Sequence, residues 1–89
     1  MIKTNVTIIN NLGLHARASA KFVSTALRFQ SSLEIGNGKK IINGKSIMGV
    51  MTLAATQNTI LDLTIEGPDE AEMHTALITL IENKFDELN

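Results

Sequence analysis

Residues 59–85 read TILDLTIEGPDEAEMHTALITLIENKF, and this stretch decides the fold. From Thr59 to Glu66 apolar and polar residues alternate, which predicts a strand with one apolar face. The apolar positions are Leu61, Leu63 and Ile65. Gly67-Pro68 predicts a turn at the end of this strand.

After the turn, apolar residues recur at helical spacing up to about Phe85. Asp69 and Glu72 have the spacing of a capping box, with Asp in the place of Ser or Thr. The core face of this helix is predicted to comprise Met73, Ala76, Leu77, Leu80 and Ile81. A strand with one apolar face, followed by a helix with one apolar face, predicts that the helix covers the strand.

Three further strands are predicted upstream, at Thr4–Ile9, Ser32–Gly36 and Lys39–Ile42. The last two flank Asn37-Gly38, which is typical of a type I′ hairpin because both central residues of that turn need positive φ. Two further helices are predicted, from about Ala16 to Phe29 and from Ser46 to Leu53, with Ser46 as the N-cap of the second. The apolar face of the first is predicted to comprise Ala16, Ala20, Val23 and Leu27, widened by Phe22 and Ala26.

The predicted order of elements is βαββαβα in a single domain that spans residues 1–89. Four strands that each bury one face need helices to cover that face. The chain is therefore expected to fold as an α+β two-layer sandwich, with an antiparallel or mixed sheet and helices on one side.

Composition excludes several classes of function. The chain has no cysteine, which rules out disulfides, thiolate metal ligands and a thiol nucleophile. A net charge of −1 and 3% aromatic residues favour neither nucleic-acid nor membrane binding. No signal peptide or membrane-spanning run is recognisable, so a cytoplasmic location is expected.

His15 follows a predicted loop and begins the first helix, where several features favour an anion. Neutral imidazole is a nucleophile, and the first N–H groups of a helix lack partners inside it. Arg17 offers a fork of donors suited to phosphate oxygens, and Lys21 extends the positive charge. This combination predicts a phosphoryl acceptor that needs no metal, although an exposed N-cap histidine without function remains the alternative. No carboxylate spacing near a histidine predicts a metal site.

Two separate segments resemble the HPr family of the bacterial phosphotransferase system: NLGLHAR at residues 11–17 and KSIMGVM at residues 45–51. The resemblance covers the whole chain and implies a four-stranded antiparallel sheet, covered on one face by three helices. It implies a carrier rather than an enzyme, without cofactor, whose His15 accepts phosphate at Nδ1 from enzyme I and passes it to enzyme IIA-type proteins. Arg17 would stabilise the phosphate. The family usually has proline where this chain has Ala18.

The second segment carries two further expectations. Ser46 is an N-cap, and the resemblance implies that an HPr kinase/phosphorylase phosphorylates it for regulation. The exposed side of its helix is expected to form a docking patch for partner proteins. The residues predicted for partner binding are Lys21, Lys45, Ile47, Met48 and Met51, beside Arg17.

Three alternatives stay open from the sequence: a nitrogen-type regulatory phosphocarrier, a small ligand-binding regulatory module with an apolar cleft, and a regulatory protein that acts through Ser46 alone. A monomer is the default expectation. Glu82, Asp86 and Glu87 are expected to form an ordinary solvated C-terminal end.

Overall fold

The computed structural model describes residues 1–87, which form one four-stranded sheet and three α-helices. The strands are β1 (Ile2–Thr7), β2 (Ser32–Gly36), β3 (Ile41–Asn43) and β4 (Ile60–Glu66). The helices are α1 (Ala16–Ala26), α2 (Ile47–Thr52) and α3 (Glu70–Glu82), followed by a 3-10 turn at Lys84–Asp86. The element order βαββαβα agrees with the prediction.

The sheet has the strand order β1-β4-β2-β3, and all its pairs are antiparallel. In β4 the predicted alternation is confirmed, since Leu61, Leu63 and Ile65 are buried under the helices. Helix α3 covers this face with Met73, Leu77 and Ile81, all buried. The opposite face of the sheet carries exposed side chains, so the molecule is an open-faced sandwich.

The predicted buried face of α1 is partly wrong. Ala16, Ala20 and Leu27 are exposed, and Leu27 follows the last helical residue as the C-cap. The side chains that α1 buries are Ala18, Ser19, Phe22, Val23 and Ala26. These residues form a regular helical stripe that includes a serine, whose Oγ donates to the Leu14 carbonyl at 3.1 Å. Because that bond satisfies the hydroxyl, the serine tolerates burial.

The β2–β3 hairpin exists, but its turn is not the predicted type I′. Only Gly38 has a positive φ, at 88°, and the loop spans residues 37–40 between the paired Gly36 and Ile41. The Asn37 side chain accepts hydrogen bonds from the backbone N–H groups of Lys39 and Lys40, both at 3.0 Å. An asparagine that bonds to the backbone ahead of it forms a turn of its own and needs no positive φ.

The predicted capping box at α3 is also wrong. Asp69 is the N-cap residue but its side chain caps nothing. Its carboxylate instead accepts from the N–H groups of Gln30 and Ser31 and from the Ser31 hydroxyl, at 2.9, 2.9 and 2.5 Å. Asp69 therefore joins the start of α3 to the loop between α1 and β2.

The C-terminal end is not one helix to Phe85. Helix α3 ends at Glu82, and Lys84, Phe85 and Asp86 all have positive φ, between 56° and 63°. Phe85 is fully buried, so its ring anchors this turn in the core. The turn directs the chain toward the start of α1, where His15 lies.

Candidate functional site

His15 is the N-cap residue of α1, with extended backbone angles (φ −75°, ψ −179°). Its Nδ1 accepts a hydrogen bond from the backbone N–H of Arg17 at 3.2 Å. In this way the imidazole takes the capping role usually filled by Ser, Thr, Asn or Asp. The predicted position of His15 at the junction of loop and helix is confirmed.

The loop before His15 is fixed against the segment that follows α2. The N–H of Leu14 donates to the Ala55 carbonyl at 2.8 Å. Gly13 has φ +65°, and a Cβ on it would lie 2.3 Å from the oxygen of Ala55. Both its conformation and this close approach therefore require glycine.

The other ring nitrogen, Nε2, contacts the carboxylate of Glu87 from the far end of the chain. Asn10 holds the same carboxylate, since its Nδ2 donates to Glu87 Oε1 at 2.8 Å and to the Gly13 carbonyl at 2.9 Å. The Glu87 side chain is only 15% exposed. The expectation of a solvated C-terminal end is thus wrong for Glu87. The contact between Glu87 and His15 could not be predicted from the sequence, because it depends on the turn of positive-φ residues at 84–86.

The environment of Glu87 favours its charged form. Partial burial raises the pKa of the carboxyl, but the hydrogen bonds from His15 and Asn10 outweigh burial, and the charge of Lys21 adds to them. The net pKa lies below the ordinary value of 4.5. A carboxylate therefore faces Nε2 of His15 at neutral pH.

Arg17 is exposed beside His15, and within residues 1–87 its guanidinium makes no hydrogen bond or ion pair. It borders a surface depression that is lined by Leu12, His15, Ala16, Arg17, Lys21, Asp86 and Glu87. Ala18, at the position where the resemblance implies proline, is fully buried and faces the core instead. Ala18 is not among the residues that line the depression.

Lys21 and Lys45, both predicted to bind partner proteins, form contacts within this chain. Lys21 Nζ donates to the Phe85 carbonyl at 2.8 Å and lies 3.9 Å from Asp86 Oδ2. Lys45 Nζ donates to the Phe29 carbonyl at 2.8 Å. Both lysines thus link separate elements of the fold in addition to supplying positive charge.

Ser46 is the N-cap of α2, as predicted, and its Oγ accepts from the N–H of Gly49 at 3.0 Å. Val50 anchors this helix in the core, whereas Ile47, Met48 and Met51 are 44%, 73% and 40% exposed. Helix α2 packs against α1. The structure therefore brings the apolar side of α2 to the surface, next to the helix that carries His15 and Arg17.

Within residues 1–87, no group of three or more His, Asp or Glu side chains is arranged to hold a metal ion. The described helices are all too short or too polar to cross a membrane. A depression beside the β2–β3 hairpin is lined by both charged and apolar side chains, among them Glu34, Lys39, Lys40, Ile41 and Asp62.

Comparisons with known proteins agree with the resemblance. A family model described as "PTS HPr component phosphorylation site" matches residues 2–83. The phosphocarrier protein HPr of Neisseria meningitidis serogroup A is 49% identical over 87 residues, which cover 98% of each chain. The crystal structure of HPr-C-His from Thermoanaerobacter tengcongensis is 44% identical, covers 100% of both chains and has a TM-score of 0.95. The HPr dimer of the same organism is 45% identical, covers 98% of this chain and 100% of that one, and has a TM-score of 0.78.

Proposed function

Since the chain belongs to the HPr family and is a phosphocarrier of the phosphotransferase system rather than an enzyme, we propose that His15 is the residue that carries its phosphoryl group. The observation that carries this proposal is the position of His15 at the start of α1, beside Arg17 and at the edge of an open depression. The acceptor atom is Nδ1.

The partners of the ring support this choice of nitrogen. A backbone N–H can only donate, so Nδ1 must present its lone pair to Arg17 N, and the ring proton of the neutral imidazole lies on Nε2. The hydrogen bond to Arg17 N is long, at 3.2 Å, and is readily given up when Nδ1 turns to a phosphorus atom. The N–H groups that open α1 then point toward the new phosphate oxygens.

Arg17 stabilises the phosphate. Its guanidinium is exposed on the same turn as His15 and is not engaged by any group within residues 1–87. A planar guanidinium can donate two parallel hydrogen bonds to phosphate oxygens. The positive end of the α1 dipole adds to the same field.

Enzyme I is the proposed donor and enzyme IIA-type proteins are the proposed recipients, so the carrier must bind each of them briefly. The docking patch combines Arg17 with Ile47, Met48 and Met51 on the exposed side of α2. Flexible methionines fit several partner surfaces. Lys21 and Lys45 contribute positive charge at the margins, in addition to their bonds within the fold. We place the protein in the cytoplasm as a monomer, although one relative of known structure is a dimer.

Ser46 is the proposed site of regulatory phosphorylation by an HPr kinase/phosphorylase. Phosphorylation would convert the hydroxyl that caps α2 into a phosphate ester and would place negative charge beside the docking patch. The Lys45–Met51 segment favours the carbohydrate-linked branch of the system over the nitrogen-linked branch. Incubation with such a kinase should modify the wild type and leave Ser46→Ala unmodified.

The decisive experiment mixes the protein with enzyme I, Mg²⁺ and phosphoenolpyruvate and measures intact mass. The wild type should gain one acid-labile phosphate of about 80 Da, which carries the added charge of a phosphoryl group. His15→Ala should gain none, whereas His74→Ala, which changes the histidine on α3, should behave as the wild type does. Equal labelling of His15→Ala and the wild type would refute the assignment.

A further inference from the structure

We infer that Glu87 is a positioning residue for His15: its carboxylate accepts the Nε2–H proton, orients the ring, and offsets the positive charge that the ring gains when Nδ1 is phosphorylated. The inference rests on the proposed function of His15. It assigns a role to the C-terminal end, beyond the family match at residues 2–83.

The geometry gives each ring nitrogen a different partner. Nδ1 faces a backbone donor, Arg17 N, and Nε2 faces an acceptor, Glu87 Oε2. A single tautomer satisfies both contacts, with the proton on Nε2 and the lone pair on Nδ1. A carboxylate that holds one nitrogen of a histidine in this way leaves the other nitrogen oriented for chemistry.

Glu87 is itself held in place from two sides. Asn10 is fully buried, and its amide links Glu87 Oε1 to the carbonyl of Gly13 in the loop that precedes His15. On the other side, the preceding turn is anchored by the buried ring of Phe85 and by the bond from Lys21 to the Phe85 carbonyl. The carboxylate therefore does not depend on His15 alone for its position.

The phosphorylation step needs no proton to leave His15. The Nδ1 lone pair forms the bond to phosphorus, the bond from phosphorus to the donor atom breaks, and the donor group leaves with that electron pair. The ring keeps its proton on Nε2 and gains one positive charge, spread over both nitrogens. Glu87 lies where it can stabilise that charge as it develops. The reverse step returns a neutral ring when the phosphoryl group passes to the next protein.

The test compares three variants with the wild type. Glu87→Gln removes the charge but keeps an oxygen that can accept the Nε2–H proton, and Glu87→Ala removes both. Glu82→Gln makes the same charge change at an exposed position on α3 and is the matched control. The steady-state rate of phosphorylation by enzyme I is measured at varied carrier concentration. Proton NMR reports the ring N–H of His15, with His74 in the same spectra as an internal reference.

We expect kcat to fall roughly tenfold in Glu87→Gln and further in Glu87→Ala, in line with losses at histidines deprived of a carboxylate partner. The KM for the carrier should change little, because the charge acts on the ring rather than on docking. A strongly deshielded, slowly exchanging N–H proton of His15 should be present in the wild type and Glu82→Gln and absent in Glu87→Ala.

Two results would overturn the inference in distinguishable ways. If the wild type is phosphorylated on His15 but Glu87→Gln and Glu87→Ala match its kcat, the inference fails and the proposed function stands. If the wild type is not phosphorylated on His15 at all, the proposed function fails and the inference with it. A faster Glu87→Gln would likewise overturn the inference, because it would mean that the carboxylate repels the incoming phosphoryl group.

Discussion

The ammonium group of Lys21 donates a hydrogen bond to the carbonyl of Phe85 at 2.8 Å, and so ties α1 to the turn that carries Glu87. This bond crosses from the second turn of α1 to the C-terminal end of the chain. Phe85 has a positive φ and lies after the end of α3, so a regular helix does not supply a donor for its carbonyl.

Replacing Lys21 by methionine keeps the aliphatic stem and removes this bond. We expect the free energy of unfolding to fall by about 1 kcal/mol, the usual net value of such a hydrogen bond. The deshielded His15 N–H proton should broaden as the turn loosens. Urea unfolding and proton NMR of Lys21→Met test this, with Lys3→Met, on the exposed edge strand β1, as the control. An unchanged His15 resonance would mean that Phe85 alone fixes the turn.

Gly13→Ala should damage both the fold and the site. Its Cβ would meet the Ala55 oxygen at 2.3 Å, and a non-glycine residue at φ +65° is strained. We expect a loss of about 2 kcal/mol in the free energy of unfolding and slower phosphorylation by enzyme I. Gly38→Ala is the matched control, since Gly38 also has positive φ but no atom within 4 Å of the added Cβ. It should cost less and leave the phosphorylation rate unchanged; equal effects of the two changes would contradict this account.

Asp69→Asn should alter the dependence of stability on pH. The hydrogen bond from the Ser31 hydroxyl, followed by that from Gln30 N–H, holds the pKa of the Asp69 carboxyl below its ordinary value of 3.8. A lowered pKa in the folded state stabilises the protein above pH 3.8, and this contribution disappears as the pH falls through the folded-state value. Urea unfolding should therefore find the variant less stable at neutral pH, with the difference shrinking below pH 3.8. The exposed Asp62→Asn serves as control, and a gap between Asp69→Asn and the wild type that is constant across pH would refute this origin.

Met48→Ala tests the docking patch. Met48 is 73% exposed, so its loss should leave the free energy of unfolding within about 0.5 kcal/mol of the wild type. The KM of enzyme I for the carrier should rise several-fold, while kcat stays near the wild-type value. Ile41→Ala removes a side chain that is 71% exposed on the other side of the molecule, at the edge of the sheet. An equal rise in KM for Ile41→Ala would argue against a patch on α2.

The parts of the fold that could be predicted from the sequence are those in which a short stretch contains its own signal. The alternation of Leu61, Leu63 and Ile65 with polar residues identifies β4, because this period of two is visible within the segment itself and does not depend on distant residues. His15 could be placed at the start of α1 because its cap contact reaches only two residues ahead. In contrast, the alanines at positions 16 and 20 do not indicate which side of α1 is buried, because alanine is found both inside and on the surface. The buried side of α1 was hard to predict because it includes a polar residue, Ser19.

The features that could not be predicted depend on contacts between distant residues. The Asp69 carboxylate binds Ser31 across 38 positions, although its local sequence is that of a cap. Glu87 meets His15 across 72 positions, through a turn of three non-glycine residues with positive φ that no local rule favours. The docking residues are an intermediate case. Met48 is exposed because α2 is short, which is a local feature, whereas the packing of α2 against α1 decides which residues of α1 lie next to it.

The strand order also determines when the protein can fold during its synthesis. Strand β1 lies at the edge of the sheet, and its neighbour β4 begins only at Ile60. The first strand therefore leaves the ribosome without a partner and must wait until two-thirds of the chain has been translated. Such long-range pairing closes a large loop, and the entropy cost of closure arises before the native contacts that offset it have formed. This cost slows folding. In a chain of this size, refolding is accordingly expected to be limited by the joining of β1 to β4, with α1 and the β2–β3 hairpin able to form earlier.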